Sequence, residues 1–247
     1  MAKTREQAEP PVVGNRPLYA QVRDQLLQRI STGTWRPGQL IPNEFELAAE
    51  MGVSQGTARK ALDSLAADGL LVRRQGRGTF VVEHTASDML FRFFNLFDSD
   101  GNPIGPDSKS AHVVRTKATA AERKKLGFET DGEVVRISRV RTRKDRPFIV
   151  ETLVLPASRF AQLATLQNIP NTLYDYFQSQ LGITVARGDE RVQPVVAGRR
   201  EAKALGVEEG TPLLKLDRLM YDINGNVIEW RVSFCYLDNG YYGVDLR

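Results

Sequence analysis

The stretch Val53-Ser54-Gln55-Gly56-Thr57-Ala58-Arg59-Lys60-Ala61-Leu62, with Leu70-Leu71-Val72-Arg73-Arg74-Gln75-Gly76-Arg77-Gly78-Thr79-Phe80-Val81-Val82 after it, decides how the first third of the chain reads. Ser54 has the side chain of a helix N-cap. Behind it Ala58, Ala61, Leu62, Leu65 and Ala66 recur at helical spacing, and Asp68-Gly69 ends the run. Leu70-Leu71-Val72 and Thr79-Phe80-Val81-Val82 read as two strands, joined by Arg73 to Gly78 with glycines at the tip. A capped helix followed by a basic, glycine-tipped hairpin is the second half of a winged helix-turn-helix.

Upstream, Asn43 with Glu46 three positions on predicts a capped helix running to Met51, turned by Gly52. Before it, Pro17 opens a segment whose Leu18, Val22, Leu26 and Ile30 stripe predicts an amphipathic helix, ended by Gly33 and Trp35-Arg36-Pro37-Gly38. Three helices and a hairpin thus occupy residues 16–82. Residues 1–15, with Glu6, Glu9, Pro10 and Pro11 and few large apolar groups, read as a flexible tail.

Downstream, residues 83–90 lack periodicity and read as a linker, and residues 91–247 form a second domain built on an internal repeat. Lys125-Leu126-Gly127-Phe128 recurs as Ala204-Leu205-Gly206-Val207, an offset of 79. At the same offset Val134-Val135-Arg136-Ile137-Ser138-Arg139-Val140 matches Leu213-Leu214-Lys215-Leu216-Asp217-Arg218-Leu219. Each copy continues through a turn into a strand holding a glutamate, Glu151 or Glu229. Two copies of helix, strand, hairpin and strand predict an antiparallel sheet of pseudo-twofold character with helices on one face, so the chain is α+β.

Composition sets limits. The 34 Lys and Arg against 30 Asp and Glu leave +4, split evenly between residues 1–84 (11 against 9) and 85–247 (23 against 21). Neither half is a polycation, so bulk charge says little about partners. Placement says more: Arg59, Lys60, Arg73, Arg74 and Arg77 crowd one helix and one hairpin, behind an acidic helix with Glu44, Glu46 and Glu50. No apolar run approaches the roughly 20 residues that cross a bilayer, so no membrane partner is expected. Met1-Ala2-Lys3-Thr4-Arg5 leads into acids and prolines rather than an apolar signal core. A single cysteine, Cys235, makes no internal disulfide and fits a cytoplasmic protein, and with only His84 and His112 beside it no structural zinc or other cofactor is expected.

A helix that reads DNA presents short polar and basic side chains on its first turn. Gln55 suits an adenine edge, Ser54 and Thr57 suit phosphate, Arg59 and Lys60 suit either, and Gly56 admits a close backbone. On the hairpin Arg74, Gly76, Arg77 and Gly78 form a narrow tip suited to a minor groove. The alternative is a capped amphipathic helix with a solvated basic face. Gly76-Arg77-Gly78 lacks the spacing of a P-loop or dinucleotide fingerprint. In the second domain, odd positions from Glu133 give Val135, Ile137, Arg139, Arg141 and Arg143, an apolar face that turns into arginines as at the mouth of a pocket. Two guanidiniums one pleat repeat apart suit a carboxylate or phosphate. The other reading is a charged strand in solvent, with Glu151 pairing Arg139.

Leu18 to Val22, Pro42 to Ala48, Val53 to Leu62 and Gln75 to Val81 together resemble the GntR family of bacterial transcription regulators. The second domain resembles the UTRA effector-binding domain, related in fold to chorismate lyase, with Gly210-Thr211-Pro212-Leu213-Leu214 and the Glu229 strand carrying the likeness. Together they are similar to the HutC-like branch. That resemblance implies a homodimeric repressor of double-stranded operator DNA, released by a small anionic metabolite: a carboxylate, sugar phosphate or phosphonate. It also implies an effector site at Arg139, Arg141, Glu151, Thr172, Tyr174 and Glu229; Cys235, where the sequence departs from the family pattern, is added to that site as pocket lining. Phe45 stands where the family often has a DNA-contacting arginine, and Gln55 where arginine is common. Met220 stands at the second copy's equivalent of Arg141, so only the first copy is expected to hold an anion.

An enzyme of the lyase-like fold fused to a DNA-binding module is the alternative function. It lacks a recognisable base: Glu151 and Glu229 suit hydroxyls or arginines better than acid catalysis, and Cys235, among Val232 and Phe234, reads as core or pocket lining.

Overall fold

The computed structural model describes residues 16–82, 93–128 and 131–244, and the chain divides into two compact units that part between residues 81 and 82. The tail 1–15, the linker 83–90 and His84 lie outside the described residues. Among the described residues no helix is long and apolar enough to cross a membrane.

The first unit holds α1 (Leu18–Ser31), α2 (Glu44–Met51), α3 (Gln55–Ala67) and the hairpin β1 (Leu71–Arg74) and β2 (Gly78–Val81). Val22, Leu26 and Ile30 of α1 pack inward with Leu47, Ala58, Ala61, Leu62 and Leu65, while Leu18 at the end of the same stripe stays exposed. Asn43 closes a full capping box on Glu46, and Gly52 turns the chain in the left-handed region at φ 64°. Residues 38–41 run beside β2 through Gly38 N to Val81 O, Val81 N to Gln39 O and Ile41 N to Thr79 O. The hairpin therefore gains a third edge that holds its base on the helices.

The second unit is a six-stranded antiparallel sheet in the order β4-β5-β6-β9-β8-β7. Its strands are β4 (Asp107–Lys117), β5 (Glu133–Arg143), β6 (Arg146–Pro156), β7 (Val185–Val196), β8 (Pro212–Asp222) and β9 (Val227–Cys235), while β3 (Leu96–Phe97) and β10 (Tyr241–Tyr242) pair separately. The repeat is real and longer than its sequence trace. Helix α4 (Ala120–Leu126) leads into β5 and β6, and α7 (Arg199–Leu205) into β8 and β9, but each is also preceded by a matching edge strand, β4 or β7. Side-chain identity in those edges has drifted because both faces of β7 are largely exposed and nothing there demands a pattern. The first hairpin turn is two residues, Lys144 and Asp145, both at positive φ (48° and 62°), as a tight primed turn requires.

The expectation of helices on one face is corrected. Helices α4 and α7 cover the face carrying Val134 and Val154, where Lys125 Nζ and Trp230 Nε1 both reach Asp217 (2.9 and 2.8 Å) and tie the two copies together. The opposite face, with Val135, Ile137, Leu153 and Leu155, is covered by α5 (Ala157–Phe160), a 3-10 turn (Ala161–Thr165) and α6 (Leu173–Leu181). These lie between β6 and β7, outside the repeat. An odd–even strand with both faces buried needs two covers, and the repeat supplies only one.

Candidate functional site

In the first unit the first turn of α3 meets the first turn of α2. Ser54 caps α3 by accepting from Thr57 N (3.2 Å), and its hydroxyl also lies 2.9 Å from Thr57 Oγ1, so both hydroxyls have partners within the turn. Gln55 Nε2 donates to Glu44 Oε1 at 2.7 Å, and Arg59 donates from Nε and Nη2 to the two Glu44 oxygens at 2.8 and 2.5 Å. The hydrogen bonds from Arg59 and then Gln55 hold the Glu44 carboxyl down at about 2. Lys60 Nζ lies 4.1 Å over the Tyr19 ring of α1. A side chain at Gly56 would meet nothing nearer than Ser54 Oγ at 4.0 Å, so packing within the unit does not call for glycine there.

On the hairpin, Arg73 is paired with Asp63 of α3 at 2.7 Å, and the Arg74 guanidinium lies 4.9 Å over Phe80. Arg77 stands exposed at the tip with no partner among the described residues, its N–H closing the turn on Arg74 O. Glycine is needed at Gly78, where φ is 102° and a Cβ would sit 2.6 Å from Leu40 Cδ1. Of the five basic residues crowded on helix and hairpin, two are therefore neutralised by acids of the same unit. Sequence counting missed Glu44 as the partner of Arg59 because it lies on the previous helix.

In the second unit a small recess of about 30 Å³ opens on the sheet face beneath α6. Arg139, Arg141, Arg218, Arg231, Asn171, Thr172 and Tyr174 line it, with Phe93, Phe94 and Leu173. Arg139 and Arg141 are 3% and 2% exposed, so the solvated-strand reading fails although the Glu151 pair it invoked exists. Glu151 lies behind the arginines: Oε1 accepts from Arg139 Nε at 2.5 Å and Oε2 from Ser233 Oγ at 3.1 Å, with Arg231 Nη1 at 3.5 Å. Burial opposes its ionisation, yet Arg139, Arg231 and Arg141 hold its carboxyl well below the usual range. Glu229 accepts from Arg231 Nε (2.8 Å) and from Tyr174 OH (3.0 Å). Arg218 donates to Glu190 at 2.6 Å, and Glu190 also accepts from Tyr242 OH at 2.5 Å.

Four guanidiniums thus face three carboxylates, Glu151, Glu229 and Glu190, an excess of one positive charge before the exposed Asp107, which also acts on Arg141, is counted. The excess has an address. Arg141 gives Nη2 to Pro106 O (3.1 Å) and Nη1 to Asn171 O (3.4 Å), while its Nε, Arg139 Nη1 and Asn171 Oδ1 are buried with no hydrogen-bond partner among the described residues. Burial first, then the Arg139 cation, lowers the Arg141 value to about 9, against the opposing pull of Glu151, whose Oε1 lies 3.5 Å from Arg141 Nη1.

Two expectations change. Glu151 and Glu229 stand behind the lining arginines rather than in the lining, and Cys235 does not line the recess. It is 1% exposed in an apolar cluster with Leu96, Ile104, Phe148, Ile149 and Leu216, and burial pushes its thiol up, away from reactivity. The site is also not confined to the first copy. Met220 is buried in the core as expected of an apolar replacement, but Arg218 and Arg231 of the second copy line the same recess. Arg218 was legible, since the offset of 79 maps it onto Arg139. Arg231, Asn171 and the phenylalanines carried no signal. His112 is exposed on β4, and no group of His, Cys, Asp and Glu among the described residues could hold a metal.

Residues 18–81 match the bacterial regulatory proteins of the gntR family, and residues 104–239 match the UTRA domain. The chain is 32% identical to the histidine utilization repressor of Pseudomonas putida over 83% of its own length and 82% of that protein. It is 30% identical to the HTH-type transcriptional repressor NagR of Bacillus subtilis (strain 168), over 86% of this chain and 88% of NagR. Among solved structures, PhnF from Mycobacterium smegmatis aligns with a TM-score of 0.53 and 27% identity, spanning 92% of this chain and 99% of PhnF.

Proposed function

We propose that this chain, which belongs to the GntR family of bacterial regulatory proteins and carries a UTRA domain, is a homodimeric repressor that leaves its operator when a small anionic metabolite enters the arginine recess. The family is one of DNA-binding transcription regulators, which speaks for a regulator rather than an enzyme. The observation that carries the reading is that Arg139 Nη1, Arg141 Nε and Asn171 Oδ1, three buried polar atoms without partners among the described residues, belong to the lining of one arginine-rich recess. Buried polar atoms in native proteins have partners, and a ligand is the simplest supplier of the missing ones. A carboxylate, phosphate ester or phosphonate oxygen answers the two arginines, and a hydroxyl or amine on the same molecule answers Asn171. Arg218, Tyr174 and Thr172 line the remainder of the recess. In the first unit, α3 enters a major groove with Gln55 and Arg59 at base edges, and Arg77 enters the flanking minor groove. As a dimer the protein sets two such helices on the half-sites of a near-palindromic operator. An effector that favours a different dimer geometry releases DNA, with coupling of about 1–3 kcal/mol.

The test is a thermal-shift panel of carboxylates, sugar phosphates and phosphonates, followed by operator displacement with the hits. Arg141→Met copies what the second repeat already has at Met220. It should weaken effector binding at least tenfold, the scale of one lost charge-assisted hydrogen bond, and leave operator affinity unchanged. An effector that releases DNA from Arg141→Met as well as from the wild type places the pocket elsewhere.

A further inference from the structure

Phe45 is 65% exposed, more than any other large apolar side chain described in the first unit. It is the second residue of α2, directly after Glu44, and its own N–H is held by Asn43 Oδ1 at 2.9 Å, so the capping box fixes where its side chain leaves the backbone. Glu44 in turn is joined to Gln55 and Arg59 by the bonds described above. The phenyl ring therefore stands at the rim of the edge that carries the first turn of α3. Every other side chain on that edge is polar or charged: Ser54, Gln55, Thr57, Arg59 and Glu44. A large aromatic ring left mostly in water among them buries little within its own unit.

A phenyl ring neither donates nor accepts a conventional hydrogen bond, so it distinguishes bases only by apolar contact. The major groove offers one apolar group on a base edge, the C5-methyl of thymine. We propose that Phe45 is a specificity-determining residue that packs on a thymine C5-methyl next to the bases faced by Gln55 and Arg59. This rests on the reading that α3 enters the major groove. It commits the ring to DNA rather than to a second copy of the chain.

The experiment uses the full-length protein and a duplex that it selects from a randomised pool. Each thymine is replaced in turn by deoxyuridine, which lacks only the methyl, and wild type is compared with Phe45→Ala. Wild type should lose about fourfold in affinity at one thymine per half-site, the factor for burying one methyl-sized group at about 0.8 kcal/mol. Phe45→Ala should bind the thymine and deoxyuridine duplexes equally at that position, while Phe45→Leu keeps part of the discrimination. Three results overturn the proposal: no deoxyuridine position weakens wild type, the loss persists in Phe45→Ala, or Phe45→Ala changes the oligomeric state without changing base preference. A pool from which no duplex is enriched overturns the DNA reading itself, a result distinct from those three.

Discussion

Arg59 with Glu44 and Arg139 with Glu151 are one chemical pair in two settings. Both contain a 2.5 Å contact from guanidinium to carboxylate, but the first pair has side chains 54% and 22% exposed and the second 1% and 2%. In water such a pair is worth little, so Arg59 can exchange Glu44 for a base edge or phosphate at small cost. In the interior, removing one partner strands a desolvated charge, so Arg139 and Glu151 stay paired and a ligand adds to them rather than replacing either. The exposed pair is suited to a reversible polymer partner, the buried cluster to a small ion that fills one missing position.

The sharpest way to break this contrast is Glu151→Ala, which leaves Arg139, Arg141 and Arg231 facing one another without their shared carboxylate. It should cost about 3–5 kcal/mol of stability in urea unfolding of the second unit. A loss below about 1 kcal/mol would mean that the cluster behaves like a surface pair. Next in size, Gln55→Ala should cost about 1–3 kcal/mol of operator affinity at a single base position. A uniform loss over all sequences would show that Gln55 touches phosphate. Arg77→Ala, at the hairpin tip, should weaken binding to every duplex and lower the salt slope by about one, and an unchanged slope would remove the hairpin from the interface.

The smallest effect belongs to Glu44→Gln, within about 1 kcal/mol of stability, with affinity for any duplex rising because one negative charge leaves the reading edge. Its sign with pH follows from the depressed native value of about 2 against the ordinary 4.5. What Glu44 contributes to stability is present above about pH 4.5 and fades as the pH falls toward 2. The difference between Glu44→Gln and wild type should therefore vanish in acid, which urea titrations at neutral pH and near pH 2 would check.

Much of the fold was legible because its signals are local. The Asn43–Glu46 box, the Ser54 cap, the glycine-tipped hairpin and the 79-residue repeat involve neighbours in sequence or a repeated pattern, and each is present in the structure. The second cover of the sheet was not legible. Residues 157–181 have no counterpart in the other copy, and only the strand faces they bury reveal the need for them. The arginine face of β5 was legible by its period of two, as was the neighbourhood of Glu151. Cys235 was misplaced because it shares the alternation of Glu229, Arg231 and Ser233, and period alone cannot say where along a strand a recess gives way to core.

By itself the sequence determined that this protein is a winged helix-turn-helix joined to a duplicated α+β sensor, and that its basic residues crowd one helix and one hairpin. Those properties are written in spacing, capping and repetition, which act over a few residues. Only the tertiary structure decided which charges are free. Glu44 reaches Arg59 from another helix, Asp63 takes Arg73, and Arg218 and Arg231 arrive in the recess from the second copy, 77 to 92 residues after the arginines they join. Charge cancels through space rather than along the chain. The net positive charge at the recess, with its unmatched Nη1 and Nε, exists only once β5, β8 and β9 lie in one sheet.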